Sequence, residues 1–286
     1  MEKYLDYTYW GEPIIYMLVC FVLFLVGKFL YQILHRDIDV DFELVEKDNL
    51  AFAVSHVGYF VGLLLAICGA MAGAKNPHLL DDLMITFAFG LGAIALLNFS
   101  IIVHDKLVFG ALELKKSIVD KENEAVGIVE AANSIANGLI IYGVLRVESE
   151  HIFTALIFWL VAQVLLILLA MLYNRVTPYP VFTKIYTGNS AVAVALAGFL
   201  VGMANIIRYA IETEHNNWGD SAVAIGIQLG VALVTFPIFR LLTDKLLLPK
   251  RSITDELINQ AKPNFGIGLI EAFAYISASI LIIISL

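Results

Sequence analysis

Residues 48–62 read DNLAFAVSHVGYFVG, and residues 188–202 read GNSAVAVALAGFLVG. Laid over one another, they place Asn49 on Asn189, Ala53 on Ala193, Gly58 on Gly198 and Gly62 on Gly202. The likeness continues outward in the same order. Asp82 meets Asp220, Gly92 meets Gly230, HDKL at 104–107 meets TDKL at 243–246, and KSIVD at 116–120 meets RSITD at 251–255. It closes with NEAVGIVEA at 123–131 over NFGIGLIEA at 264–272, which matches Asn123 with Asn264 and Glu130 with Glu271. Several motifs recurring in register over so long a period mark an internal duplication. Residues 1–146 form the first unit and 147–286 the second.

The solvent of this chain is partly lipid. Hydrophobic residues make up 60% of it and charged residues 15%, where a soluble domain holds about a quarter charged. A spanning helix needs about 20 mostly apolar residues. Runs of that kind lie at 13–35, 50–74, 82–104, 123–146, 151–174, 189–211, 220–242 and 264–286. The expected fold is an all-α polytopic membrane protein of eight transmembrane helices. Each unit holds an even number of spans, so both enter the membrane in the same direction. They are parallel four-helix repeats, most simply related by a pseudo-twofold axis along the membrane normal. The fourth and eighth runs each carry a glutamate, and a re-entrant segment is the alternative reading there. The N-terminal MEKYLDYTYWGEP lacks the positive start of a signal sequence and reads as an aromatic interfacial lead-in.

Lysine and arginine bias sets the orientation. The loops at 35–49, 105–122, 175–188 and 240–263 carry most of the basic residues, from Arg36 and Lys47 to Arg251 and Lys262. The opposite side holds Lys3, Lys75 and Arg146. The basic loops are therefore expected in the cytoplasm and both termini outside it. The loop LVFGALELKKSIVDKE at 107–122 is expected to lie as a short helix on the membrane surface.

An ionisable group within a span is a functional candidate by default. Glu130 and Glu271 are the leading pair. On a helix, Glu130 shares a face with Asn123, Gly127, Ser134 and Asn137, and Glu271 shares one with Asn264, Gly268 and Tyr275. Two readings stand side by side: carboxyls that handle a proton or small cation, or structural groups bonded to neighbouring helices. Lys28 is the other buried charge, placed either to pair with Glu130 or to extend to the interface. Asp82, Asp220, Asn49 and Asn189 begin helices, where capping explains them better than ion contact. Gly58, Gly62, Gly198 and Gly202 form small-xxx-small faces for close helix packing, and Gly226 with Gly230 adds another. His56 and His104 have no second ligand at useful spacing, so no metal site is expected. No basic patch with interleaved aromatics points to nucleic acid.

The four-span unit has an asparagine-led second helix, Asp-Lys after the third, and Asn-x-x-x-Gly-x-x-Glu-Ala opening the fourth. In these features it resembles the YjfL-like bacterial inner-membrane proteins, a family known as domain of unknown function 350, here as two tandem units. The resemblance implies a bacterial inner-membrane location and an association with envelope-stress systems, and it brings no activity, catalytic set or cofactor. Lys28, His56, Asn133 and Asn137 depart from a perfect duplication, having no like-for-like twin. Two function classes remain: a proton- or cation-conducting transporter or channel, and a non-catalytic membrane scaffold of an envelope-stress assembly. No nucleophile–base pair supports an enzyme. Candidate partners are the bilayer, a peripheral protein at the basic loops, and a second copy of the chain.

Overall fold

The computed structural model describes residues 7–73, 76–110, 113–147, 152–213, 218–248 and 251–285. Of the residues named above, Lys3 and Lys75 lie outside them. All regular structure among the described residues is helical: α1 (Tyr7–Leu34), α2 (Leu50–Ala72), α3 (Leu79–Leu107), α4 (Glu124–Arg146), α5 (Ile152–Val176), α6 (Val181–Tyr186), α7 (Ser190–Glu212), α8 (Trp218–Leu247), α9 (Ile253–Ile258) and α10 (Phe265–Ser285), with short π-helical turns at Phe42–Glu46 and Lys116–Asp120. Eight of these are long and apolar enough to cross a membrane; α6 and α9 are short. The helices α4 and α10, with 23 and 21 residues, run unbroken, which sets aside the re-entrant alternative. With 29 and 30 residues, α3 and α8 exceed their expected spans. At 1.5 Å per residue they measure about 44 Å against about 30 Å of hydrocarbon, so their charged ends reach the interfaces.

The core is a row of four helices. The most extensive contacts join α2 to α4, α4 to α7, and α7 to α10. These four helices all start at the end that carries the basic loops, and therefore run parallel. The helices α1, α3, α5 and α8 run the other way; α1 and α3 cover the first repeat, while α5 and α8 flank the second. Close approach along the row depends on absent side chains. A Cβ on Gly58 would overlap Ala131, and one on Gly198 would overlap Ala272. Gly127 and Gly268 meet the carbonyls of Ala51 and Ala191 in the same twinned way. Gly62 lies on the Ser134 carbonyl and Gly202 on that of Tyr275. Gly226 and Gly230 face open space, so that pair makes no helix contact among the described residues.

Each core helix begins at an asparagine N-cap. The side chains of Asn49, Asn123, Asn189 and Asn264 accept backbone N–H groups of Phe52 (3.0 Å), Ala125 (3.0 Å), Val192 (3.0 Å) and Ile267 (3.3 Å). Their amides reach onward along the row. Asn49 donates to the Ile118 carbonyl ahead of α4, Asn123 to the Tyr186 carbonyl ahead of α7, and Asn189 to the Leu257 carbonyl ahead of α10. The cap of one core helix thus holds the turn that feeds the next. Asn264, last in the row, donates to Glu256 of the turn before its own helix. The first three caps follow a residue at positive φ: Asp48, Glu122 and Gly188.

The repeats meet where α4 packs on α7, and both ends of that seam are clamped. At the basic end Lys121 donates to the Tyr186 hydroxyl at 2.9 Å. At the far end Glu212 takes Arg208 at 2.6 Å and Arg146 at 3.4 Å. A twofold axis through this seam would also bring α10 against α2, which instead stand at opposite ends of the row. The two parallel repeats are thus related by a step along the row, and the expected pseudo-twofold gives way to that order. The loop after α3 also differs from expectation. The segment does hold a short helix, a π-helical turn at Lys116–Asp120, but Phe109 and Ile118 are buried in protein and Phe109 packs on Phe182, so it docks on the helix bundle.

Candidate functional site: two unequal carboxyl sites

Glu130 lies about 9 Å along α4 from its first residue, at 1.5 Å rise per residue. Its carboxyl stands within hydrogen-bonding reach of the carboxyl of Asp105 on α3. Asn133, one turn on, donates to Asp105 Oδ1 at 3.2 Å, and Asn137 donates to Asn133 Oδ1 at 3.0 Å. Two carboxyls in contact can hydrogen-bond only if one carries a proton, since ionised carboxylates only accept. Glu130 Oε2 and Asn137 Oδ1 are buried without a partner. No lysine or arginine pairs with either carboxyl among the described residues.

Asp105 and Glu130 line a cavity of about 110 Å³ at the basic end of the first repeat. Ser55, Tyr59, Asn98 and Ser134 add polar lining, and His35 and Lys115 stand at its mouth. His35 is held by its Nδ1 lying 3.0 Å from the Tyr31 carbonyl. Burial pushes its ring below the ordinary value of 6.5 and the Lys115 charge adds to this, against the Tyr31 hydrogen bond. Lys115 itself pairs with Asp37.

Glu271 sits in the matching place in α10 with the opposite surroundings. It is fully buried, and its Oε1 accepts from Arg240 Nε at 2.5 Å and from the Tyr275 hydroxyl at 2.9 Å. Arg240 also donates to Thr254 at 3.0 Å. Glu271 Oε2 is buried without a partner. This carboxylate is neutralised by an arginine; Glu130 is set beside a second acid.

Against known families, the model described as Domain of Unknown Function (DUF350) matches residues 6–145 and again 147–286. The chain belongs to the DUF350 family. No curated protein and no solved structure matches it. The two DUF350 units supply one carboxyl site each, and the burial pattern along their third helices explains why the sites differ. Asp105 corresponds to Asp244, and Ile101, one turn earlier, corresponds to Arg240. In the second unit Asp244 accepts the Ile253 N–H at 2.6 Å, leaving Arg240 to meet the glutamate. In the first, Ile101 cannot do so and Asp105 turns to Glu130.

The other sequence candidates fall into place around these DUF350 sites. Asn123 and Asn264, grouped with the pathway, are helix caps, as are Asn49 and Asn189. Lys28 is half-buried and makes no ion pair with Glu130 among the described residues. Asp82 is buried, accepting the Asn76 N–H at 2.6 Å and the Tyr16 hydroxyl. Asp220 is exposed, and the buried position equivalent to Asp82 is Ser221. Sequence reasoning passed over Asp105, noted only within the repeated HDKL motif, and Arg240, counted only with the basic loop at 240–263. The signal for Asp105 was present in the repeated Asp-Lys, while Arg240 shows only as a charge facing an apolar residue across the repeat.

Proposed function

We propose that this DUF350 protein moves protons, or a small cation in exchange for them, through its first repeat, with Asp105 and Glu130 as the exchanging carboxyls. The observation that carries this reading is a pair of touching carboxyls that line a cavity, with no lysine or arginine paired to them among the described residues. A shared proton in such a pair can leave when a cation arrives, because the second carboxyl then becomes free to ionise. Asn133 and Asn137 continue the polar line deeper along α4. The family resemblance points to a bacterial inner-membrane protein, and the positive-inside bias supports basic loops, and hence the cavity mouth, that face the cytoplasm, with both termini outside. We read it as non-enzymatic. The second repeat favours the scaffold reading for its own half, because Arg240 cancels Glu271.

The test is reconstitution in liposomes with proton, sodium and potassium flux followed under an imposed gradient. Flux should fall at least about tenfold in Glu130→Gln and in Asp105→Asn, in line with the weight of a positioned acid–base group. Folded wild-type protein that conducts nothing, or flux unchanged in both variants, rejects the transport reading and leaves the scaffold.

A further inference from the structure

The repeats differ most where their outer helices meet. In the first, α1 packs on α3, and Gly90 leaves room for the Leu23 side chain against its backbone. Laid on α8 without a gap from the Asp105–Asp244 match, which moves Gly92 onto Val231, Gly90 falls on Leu229, and among the described residues α5 and α8 make no comparable contact. Between them lies a cavity of about 360 Å³, within the range of about 300–1,000 Å³ of small-molecule sites. Tyr173, Phe199, Phe236 and Tyr275 form its wall, each ring in contact with others of the set. Its rim carries Leu172, Val176 and Leu233, all exposed, so the mouth faces the bilayer laterally.

Polar groups inside this apolar cavity lack partners. Glu271 Oε2 and the Tyr173 hydroxyl are buried without a well-formed hydrogen bond, the Tyr173 hydroxyl lying near those of Tyr275 and Tyr179. Pro237 has no N–H to give the Leu233 carbonyl, its partner position in α8. Orphaned buried polar atoms call for an explanation. An acceptor needs a donor, Tyr173 can supply one to an oxygen, and Arg240 has already matched the charge of Glu271. The missing group is therefore neutral, carries a hydroxyl and arrives from lipid; the four rings favour a planar one.

We propose that the cavity between α5 and α8 binds a lipid-soluble phenol or quinol, its hydroxyl donating to Glu271 Oε2 and accepting from Tyr173. This site lies in the second repeat and does not rest on the transport reading. The test uses full-length protein in nanodiscs, titrated by equilibrium dialysis with duroquinol kept reduced and with duroquinone. The two share a ring and methyl groups and differ in the hydroxyl hydrogens. Duroquinol should bind at least about tenfold more tightly, the scale of one well-made hydrogen bond to a charged group. Tyr173→Phe should weaken duroquinol severalfold with little effect on chain shape, and Leu172→Trp at the rim should block both ligands. If Leu172→Trp does not elute as wild type, Val176→Trp on the exposed rim replaces it. Equal affinity for the two forms, or duroquinol binding untouched by Tyr173→Phe and by the tryptophan, overturns the assignment. So does dioctanoylglycerol binding where duroquinol does not, which would make the occupant a glycerolipid.

Discussion

Glu130 and Glu271 hold the same position in two copies of one unit, yet removing their charge should have unequal consequences. Glu271→Gln strands the Arg240 guanidinium in a largely buried place, and breaking a buried pair from one side costs about 3 kcal/mol or more. Glu130→Gln replaces a proton-sharing contact with an amide that can donate to Asp105, so stability should change by less than about 1 kcal/mol. Thermal unfolding of the two variants in one detergent separates the cases; equal losses would mean the sites are alike after all. Adding Arg240→Gln to Glu271→Gln should recover part of the loss, because no unmatched charge then remains. At the cavity mouth, His35 gives a pH dependence whose sign is fixed. The fold depresses its pKa from 6.5, so the unfolded chain binds the proton more readily. Its contribution is complete above about pH 6.5 and is lost as pH falls through the lower folded value. His35→Gln should flatten the fall in Tm between pH 7.5 and pH 5; an unchanged slope would assign it to other groups.

At the scale of elements, glycine separates packing faces from lipid faces. Gly58→Leu and Gly198→Leu each drive a side chain into the neighbouring helix and should cost about 3 kcal/mol or prevent folding. Gly226→Leu, on open space, should stay within about 0.5 kcal/mol of wild type, and a large loss there would contradict the packing described. Gly188 at φ +87° supplies the left-handed residue ahead of the Asn189 cap, and Gly188→Ala should cost about 1 kcal/mol. Helix positions were legible in the sequence because each span is a long apolar run bounded by charge, and the repeat was legible because Asn49, Gly58 and Glu130 have twins. The partners of the glutamates were not. Asp105 and Arg240 sit on the spanning helix before each glutamate's own, and a repeat alignment shows which positions correspond without showing which side chains touch. Gly226-x-x-x-Gly230 was misleading for the same reason, since spacing names a face without naming what covers it.

For the whole molecule, the open row raises the question of why it stops at four core helices. The α4 face at the repeat seam includes Gly143, where a Cβ would lie 2.9 Å from the Arg208 side chain and carbonyl of α7. Its counterpart on α10 is Ile284, 76% exposed, and the counterpart of buried Ala132 is Phe273, 64% exposed. Large side chains there hold another α7-like helix away and suit contact with lipid chains, so α10 closes the row. The seam itself is joined by close packing and by polar clamps at both ends, which should make it specific enough to assemble from separate pieces. Co-expressed as residues 1–147 and 148–286, the halves should purify as a one-to-one complex. Gly143→Leu should dissociate them by separating α4 from α7, while Ile284→Gly, on the outward face, should leave the complex intact. Halves that purify apart, or a first half that pairs with itself in preference to the second, would show that the α4–α7 seam does not select its partner.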